Sequence, residues 1–184
     1  GFGYFPHNAN SVRNLLFIER NGIGYNVSLQ VLDGILCHNG EILSPIYKPD
    51  SHKTIEQFWE EYEKCWHEKD YSFKILPMTL EGYVVRISDV ISYVGKDIED
   101  AIKVGIISID DLPLEVVQVL GKDNKAIINR LIGDLVIHSY HKPYLEFSKE
   151  VFHALEILFT FISTHIHHHL TILKENEKLT RMVK

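Results

Sequence analysis

Proline placement constrains this chain most. All six prolines, Pro6, Pro45, Pro49, Pro77, Pro113 and Pro143, fall between segments whose apolar residues recur every three to four positions. An interior proline removes a helix hydrogen bond and clashes with the preceding turn, so prolines spaced in this way mark helix boundaries. The longest proline-free stretch, LEGYVVRISDVISYVGKDIEDAIKVG over 80–105, reads as one helix. Its β-branched run at Val84, Val85 and Ile87 suits a strand, but the apolar spacing continues at helical period far beyond the ~10 residues a strand occupies. Elsewhere, Asn10 or Ser11 is expected to cap a first helix through VRNLLFIER that ends at Asn21-Gly22, a pair suited to left-handed backbone. Ser28 is expected to cap LQVLDGILCH, which stops near Gly40, and Thr54 opens the capping-box pattern TIEQ ahead of FWEEYEKCWHEK. The segments LEVVQVLG, KDNKAIINRLIGDLVIHSY and SKEVFHALEILFTFISTHI follow, then the charged tail LTILKENEKLTRMVK. The expected fold class is all-α, with about eight helices and no internal repeat.

With 45% hydrophobic and 24% charged residues over 184 positions, the chain has enough apolar material for a real core. A formal charge of -6 disfavours a broad basic face that tracks nucleic acid, so an anionic ligand would have to be held locally. Cys37 and Cys65 lie in separate segments without a CxxC pair, which points away from a disulfide framework or zinc ribbon and toward a reducing, cytoplasmic setting. The longest apolar run, Leu155 to Ile162, is far short of the ~20 residues of a membrane span, and no secretory signal is visible.

The stretch richest in chemistry is ISDVISYVGKDIEDAI. Asp89, Tyr93 and Asp97 are spaced by fours, so on a helix they drift only about 80° and line about 12 Å of one wall. A carboxylate, a phenol and a second carboxylate could there hold a metal ion, a phosphate oxygen and a sugar hydroxyl; a solvated polar face is the plainer account. Arg86 and Lys96 fall at three-residue steps from Asp89 and Tyr93, either beside the same wall or as surface ion-pair partners. The run His165, His167, His168 and His169 reads as a polar helix end, where cations suit the dipole, and not as a metal cluster. His38 and Glu41 form a possible supporting pair. Trp59, Tyr62 and Trp66 make a stripe better suited to core or subunit interface than to base stacking, and the charged side of their helix, with Glu60, Glu61 and Glu63, is expected to face water.

The Asp89, Tyr93, Asp97 segment resembles the last motif of the HD-domain deoxynucleoside triphosphate triphosphohydrolases, the dGTPase-like family, whose metal site is an H…HD…D ligand set. FPHNANSVR is similar to that family's HNxQS-R segment, and GIGYNVSLQVLDGILCHNGE to its run ending in GIL.H. The resemblance covers about two thirds of the chain, from Gly1 to roughly Ile106. It implies a partial HD-domain helical fold over residues 1–106, with 107–184 a helical carboxy-terminal extension packed on it. It also implies Asp89 as a ligand to a divalent ion such as Mg²⁺ or Mn²⁺, His7 as an active-site histidine near the phosphates, Tyr93 as a phosphate contact and Asp97 as the contact to the sugar 3′-hydroxyl. The implied reaction cleaves a deoxynucleoside triphosphate to deoxynucleoside and tripolyphosphate, in a homo-oligomer, with the helix from Val151 to Ile162 partly interfacial.

No His-Asp dipeptide occurs in the sequence, nor does the PPFGH-type segment that follows it in the family. Those motifs precede the HNxQS-like segment, so the chain is expected to be a carboxy-terminal portion that is inactive alone. Two other readings follow from the same residues. One is an HD phosphohydrolase acting on another nucleotide; the other is a non-catalytic helical interaction module.

Overall fold

The computed structural model describes residues 5–39, 43–169, 178 and 180–182. The architecture is all-α. Seven α-helices lie among the described residues: α1 (His7–Arg13), α2 (Leu29–Cys37), α3 (Ile55–His67), α4 (Leu80–Lys103), α5 (Leu114–Val119), α6 (Asn124–Ser139) and α7 (Lys149–Phe161). Among the described residues two two-residue strands, β1 (Ile46–Tyr47) and β2 (Leu145–Glu146), pair as a sheet. Most of the charged tail and Gly40 lie outside the described residues.

The expected boundaries hold at most helices, and the exceptions have physical causes. Thr54 caps α3 through a full capping box with Gln57. Ser148 caps α7 by accepting from the Val151 amide, and Ser28 precedes α2 without a side-chain cap. The first helix departs from expectation, starting at His7 with Pro6 as its N-cap. Ser11 is spent differently: its Oγ donates to the His7 carbonyl one turn back at 2.9 Å, a bond that requires the helix to be already formed there. After α1 the chain passes through a π-helical turn, Asn14–Ile18. It then enters left-handed backbone at Arg20, Asn21, Gly22 and Gly24, as the Asn21-Gly22 pair led one to expect. Gly24 is obligatory: at φ +73°, an added Cβ would stand 2.0 Å from the Leu16 carbonyl oxygen.

Cα packing separates two compact units, Gly1–Val90 with His141–Leu145, and Ile91–Tyr140 with Glu146–Lys184. In the first, α1, α2 and α3 bury Ala9, Val12, Leu32, Leu36, Phe58, Tyr62 and Ile75 together. Two glycines let α2 meet the head of α4: Gly34 and Gly82 approach so closely that a Cβ on Gly82 would lie 3.5 Å from the Gly34 Cα. In the second unit, α7 buries Val151, Ala154, Leu155, Leu158 and Phe161, and α5 packs on it. Asp134 of α6 accepts from both the backbone amide and Oγ of Ser148, at 2.7 and 2.8 Å, and so anchors the start of α7.

Phe152, Ile157 and Phe159 of α7 stay half-buried, whereas α6 leaves Ile132, Val136 and Ile137 exposed, with Tyr140 exposed just beyond it. No helix among the described residues is long and apolar enough to cross a membrane.

Candidate active site

In the first unit, the fold joins two histidines 31 residues apart. Asn8 is fully buried and its Nδ2 donates to the Leu36 carbonyl at 2.6 Å, tying the start of α1 to the end of α2. That clamp sets His7, on the exposed side of α1, against His38, the residue that follows α2. Their Nε2 atoms are 3.2 Å apart and the rings meet edge to face. His38 Nδ1 lies 2.7 Å from the Ile35 carbonyl. A carbonyl only accepts, so Nδ1 carries a hydrogen there, and with Nε2 unprotonated its lone pair faces the Nε2–H of His7. Burial lowers the His7 pKa below 6.5, the His38 charge lowers it further, and Asp89 of α4 opposes both. Asp89 therefore stands within electrostatic reach of the pair. Beside His38 a mostly apolar cavity of about 670 Å³ opens, lined by Val31, Ile35 and Val85 with the Gly34 and Gly82 backbones.

The remaining residues of the motif belong to the second unit, although α4 carries all three without interruption. Tyr93 is 57% exposed. Asp97 is half-buried, and its Oδ2 lies 3.0 Å from Nε2 of His167. His167 sits on the π-helical turn Ile162–His167 that continues α7, so the histidine run is a polar helix end, as its sequence suggested. His165 stacks on Phe161, and His168 Nδ1 lies 2.5 Å from the Ser163 carbonyl.

Several expectations need correction or sharpening. Arg86 is neither beside an open wall nor a surface ion-pair partner; it is 3% exposed and its guanidinium donates to the Ile75 carbonyl at 2.8 Å. Lys96 is a surface ion-pair partner, on Asp100 and Glu99. Glu61 turns inward from an otherwise solvated helix face, for a reason given below. Of the aromatic stripe, Tyr62 is in the core, Trp66 is packed against it and Trp59 stays at the surface. Glu41, the suggested partner of His38, lies outside the described residues.

Sequence reasoning missed the most heavily buried charged cluster. Asp33, Cys37 and Glu61 bring possible ligand atoms within 4.8 Å of one another. The composition could hold a metal, but a cation is already there. Lys53 Nζ lies 2.9 Å from Asp33 Oδ1, 2.7 Å from Glu61 Oε2 and 3.7 Å from Cys37 Sγ, and it also donates to the Leu76 carbonyl. Burial opposes the ammonium charge, but the hydrogen-bonded carboxylates of Glu61 and Asp33 help hold Lys53 above the ordinary lysine range. Burial, reinforced by Asp33, pushes the Cys37 thiol well up and keeps it neutral, a poor metal ligand. This cluster therefore does not fit a divalent ion. Asp89, within electrostatic reach of His7, offers an anionic oxygen of the kind a hard divalent ion takes, one ligand of the several such a site needs. The one signal for the cluster was the apolar setting of Asp33 in LQVLDGILCH, because an acid among core positions needs a partner.

The similarity to known proteins is extensive. The chain is 34% identical over 170 residues to the deoxyguanosinetriphosphate triphosphohydrolase-like protein of Clostridium perfringens (strain SM101 / Type A), covering 90% of this chain and 41% of that protein. To the protein of the same description from Caldanaerobacter subterraneus it is 29% identical over 182 residues, covering 99% and 44%. To that of Clostridium tetani it is 36% identical over 132 residues, covering 72% and 30%. The chain thus spans less than half the length of these curated relatives. No family model matches it. No solved structure matches it significantly.

Proposed function

Since the chain belongs to the deoxyguanosinetriphosphate triphosphohydrolase-like family, we propose that it supplies part of a metal-dependent site that hydrolyses a deoxynucleoside triphosphate to deoxynucleoside and tripolyphosphate. In this reading residues 1–106 are the carboxy-terminal part of an HD phosphohydrolase domain and 107–184 a helical extension, in a cytoplasmic homo-oligomer. The observation that carries it is the His7–His38 pair within electrostatic reach of Asp89.

Asp89 holds the divalent ion together with ligands of the H…HD type, which this sequence does not contain. When bound, the ion polarises the α-phosphate and activates water. His7 is kept neutral by burial and by His38, and its Nε2–H is oriented by the lone pair of His38. A phosphate oxygen that replaces His38 at this Nε2–H takes its hydrogen bond, with His7 in the neutral form. Tyr93, exposed on α4, donates from its phenol to a phosphate oxygen. Asp97 accepts from the sugar 3′-hydroxyl, while His167 holds its other side.

The test is phosphorus NMR of dGTP and the other deoxynucleoside triphosphates with Mn²⁺ or Mg²⁺. The samples are this chain and a longer protein in which an H…HD segment precedes it. Tripolyphosphate from the longer protein, lost in Asp89→Ala, is the expected result. Absence of product from every nucleotide tried overturns the proposal in favour of a helical interaction module, and product from ribonucleotides alone favours another nucleotide substrate.

A further inference from the structure

The Lys53 cluster joins four segments at one point. Asp33 comes from α2, Glu61 from α3, Lys53 from the turn-rich segment before α3, and Leu76 and Met78 from the connector into α4. Both oxygens of Asp33 are used: Oδ1 takes the Lys53 ammonium at 2.9 Å, and Oδ2 takes the Met78 amide at 2.7 Å. The Lys53 and Asp33 side chains are 1% and 0% exposed. One turn beyond Asp33, α2 ends at Cys37 and His38 follows it; two residues beyond Met78, α4 begins and leads to Asp89. Where α2 meets the head of α4, Gly34 and Gly82 face each other, and neither residue has a side chain to fix rotation. A glycine crossing lets helices come close and leaves their rotation open, so orientation has to be set by something else.

We propose that Lys53 is a positioning residue of the candidate active site. It acts through Asp33 as an internal cation that fixes the rotation of α2 against the head of α4, and so places His38 against His7 and Asp89. The proposal rests on the reading of His7, His38 and Asp89 as active-site groups, but its test reads imidazole geometry, so it stands or falls independently of the hydrolysis assay. A merely cohesive ion pair would not make the His38 tautomer depend on a lysine from a different segment.

The experiment records long-range ¹H–¹⁵N imidazole spectra of this chain, with His7 and His38 assigned from His7→Gln and His38→Gln. The wild-type chain is expected to show His38 fixed with its hydrogen on Nδ1 and His7 with its hydrogen on Nε2. In Lys53→Ala the His38 pattern is expected to collapse to averaged tautomers, and propylammonium, which supplies the missing cation, is expected to restore it. Phe58→Leu, a core change in the same unit, is expected to leave the pattern intact. Asp33→Asn keeps an acceptor for the Met78 amide but loses the charge that faces Lys53, and is expected to lose the pattern too. A folded Lys53→Ala or Asp33→Asn with wild-type ring signals overturns the proposal. So does loss of the pattern in Phe58→Leu to the same degree, and so does failure of both charge variants to fold in the presence of propylammonium, which makes the cluster purely structural.

Discussion

Gly34 and Gly82 face each other across the same helix crossing, yet alanine is expected to have opposite effects at the two positions. At Gly34, within α2, the nearest atom to an added Cβ is the Gly82 Cα at 3.6 Å, an ordinary van der Waals contact. Alanine there gains helix propensity of up to ~1 kcal/mol and costs little space. At Gly82, in the first turn of α4, the Cβ would stand 2.7 Å from the Pro77 Cβ and 3.5 Å from the Gly34 Cα. The Pro77 ring is locked to its own backbone and has no rotamer by which to withdraw. Relief therefore requires the connector to move, and the connector carries the Met78 amide bound to Asp33. Overpacking of this kind costs ~1–3 kcal/mol, which exceeds the propensity gain. Gly34→Ala is expected to be neutral or stabilising by up to ~1 kcal/mol, and Gly82→Ala destabilising by about 1–2 kcal/mol. The assay is urea unfolding followed by tryptophan fluorescence. Trp59 and Trp66, the two tryptophans of the chain, both lie on α3 in the first unit and so report that unit directly. Equal and favourable shifts for both variants would refute the close crossing.

Other outcomes follow from single observations. Gly95→Ala places a Cβ 2.0 Å from Asn124 Oδ1, which forces Asn124 off Glu99; a loss of about 1–3 kcal/mol in thermal unfolding is expected, largely recovered in Gly95→Ala with Asn124→Ala. Asp134→Ala leaves the Ser148 amide and hydroxyl without their acceptor at the start of α7 and is expected to cost about 2–3 kcal/mol, read from the second unit by circular dichroism. The His7 pKa is lowered in the folded chain, so the unfolded chain takes up the proton first as pH falls. His7 is expected to cost nothing above pH 6.5 and to destabilise increasingly as pH drops from 6.5 through its lowered folded value; denaturation midpoints of wild type and His7→Gln should diverge there and coincide above it.

Helical boundaries were legible because capping chemistry and proline placement act locally. Thr54 with Gln57 is such a case, and the long span of α4 follows from uninterrupted apolar spacing. Misplacement of the first helix start came from a local rule too: Ser11 is a good cap in isolation, but its hydroxyl bonds to His7 one turn back once Asn8 is drawn into the core. Arg86 and Glu61 were misread for the opposite reason. Helical spacing says which side a residue occupies on its own helix, but not whether another segment covers that side. Glu61 is drawn in by Lys53, and Arg86 by backbone carbonyls of 73 and 75.

The same distinction bears on the candidate site. Spacing by fours shows that Asp89, Tyr93 and Asp97 line up on one helix, which a solvated face would do equally well. The solvated reading loses ground to what two of these carboxylates meet. Asp89 acts on His7, and Asp97 lies 3.0 Å from His167, a residue 70 positions further along. No local rule links His7 to His38 either; their contact depends on the Asn8 clamp between α1 and α2. A polar face exposed only to water needs no imidazole drawn from distant sequence to stand against its acids. Here Asp97 has one within hydrogen-bond distance and Asp89 bears electrostatically on another, each within its own compact unit, and the two histidines arrive on different elements, one at the start of α1 and the other on a π-helical turn. Insertion of that kind into a helix costs regular hydrogen bonding and recurs at functional positions. Asp97 is therefore a held group and Asp89 bears on His7, whereas Glu99 and Asp100 of the same helix pair with surface lysines.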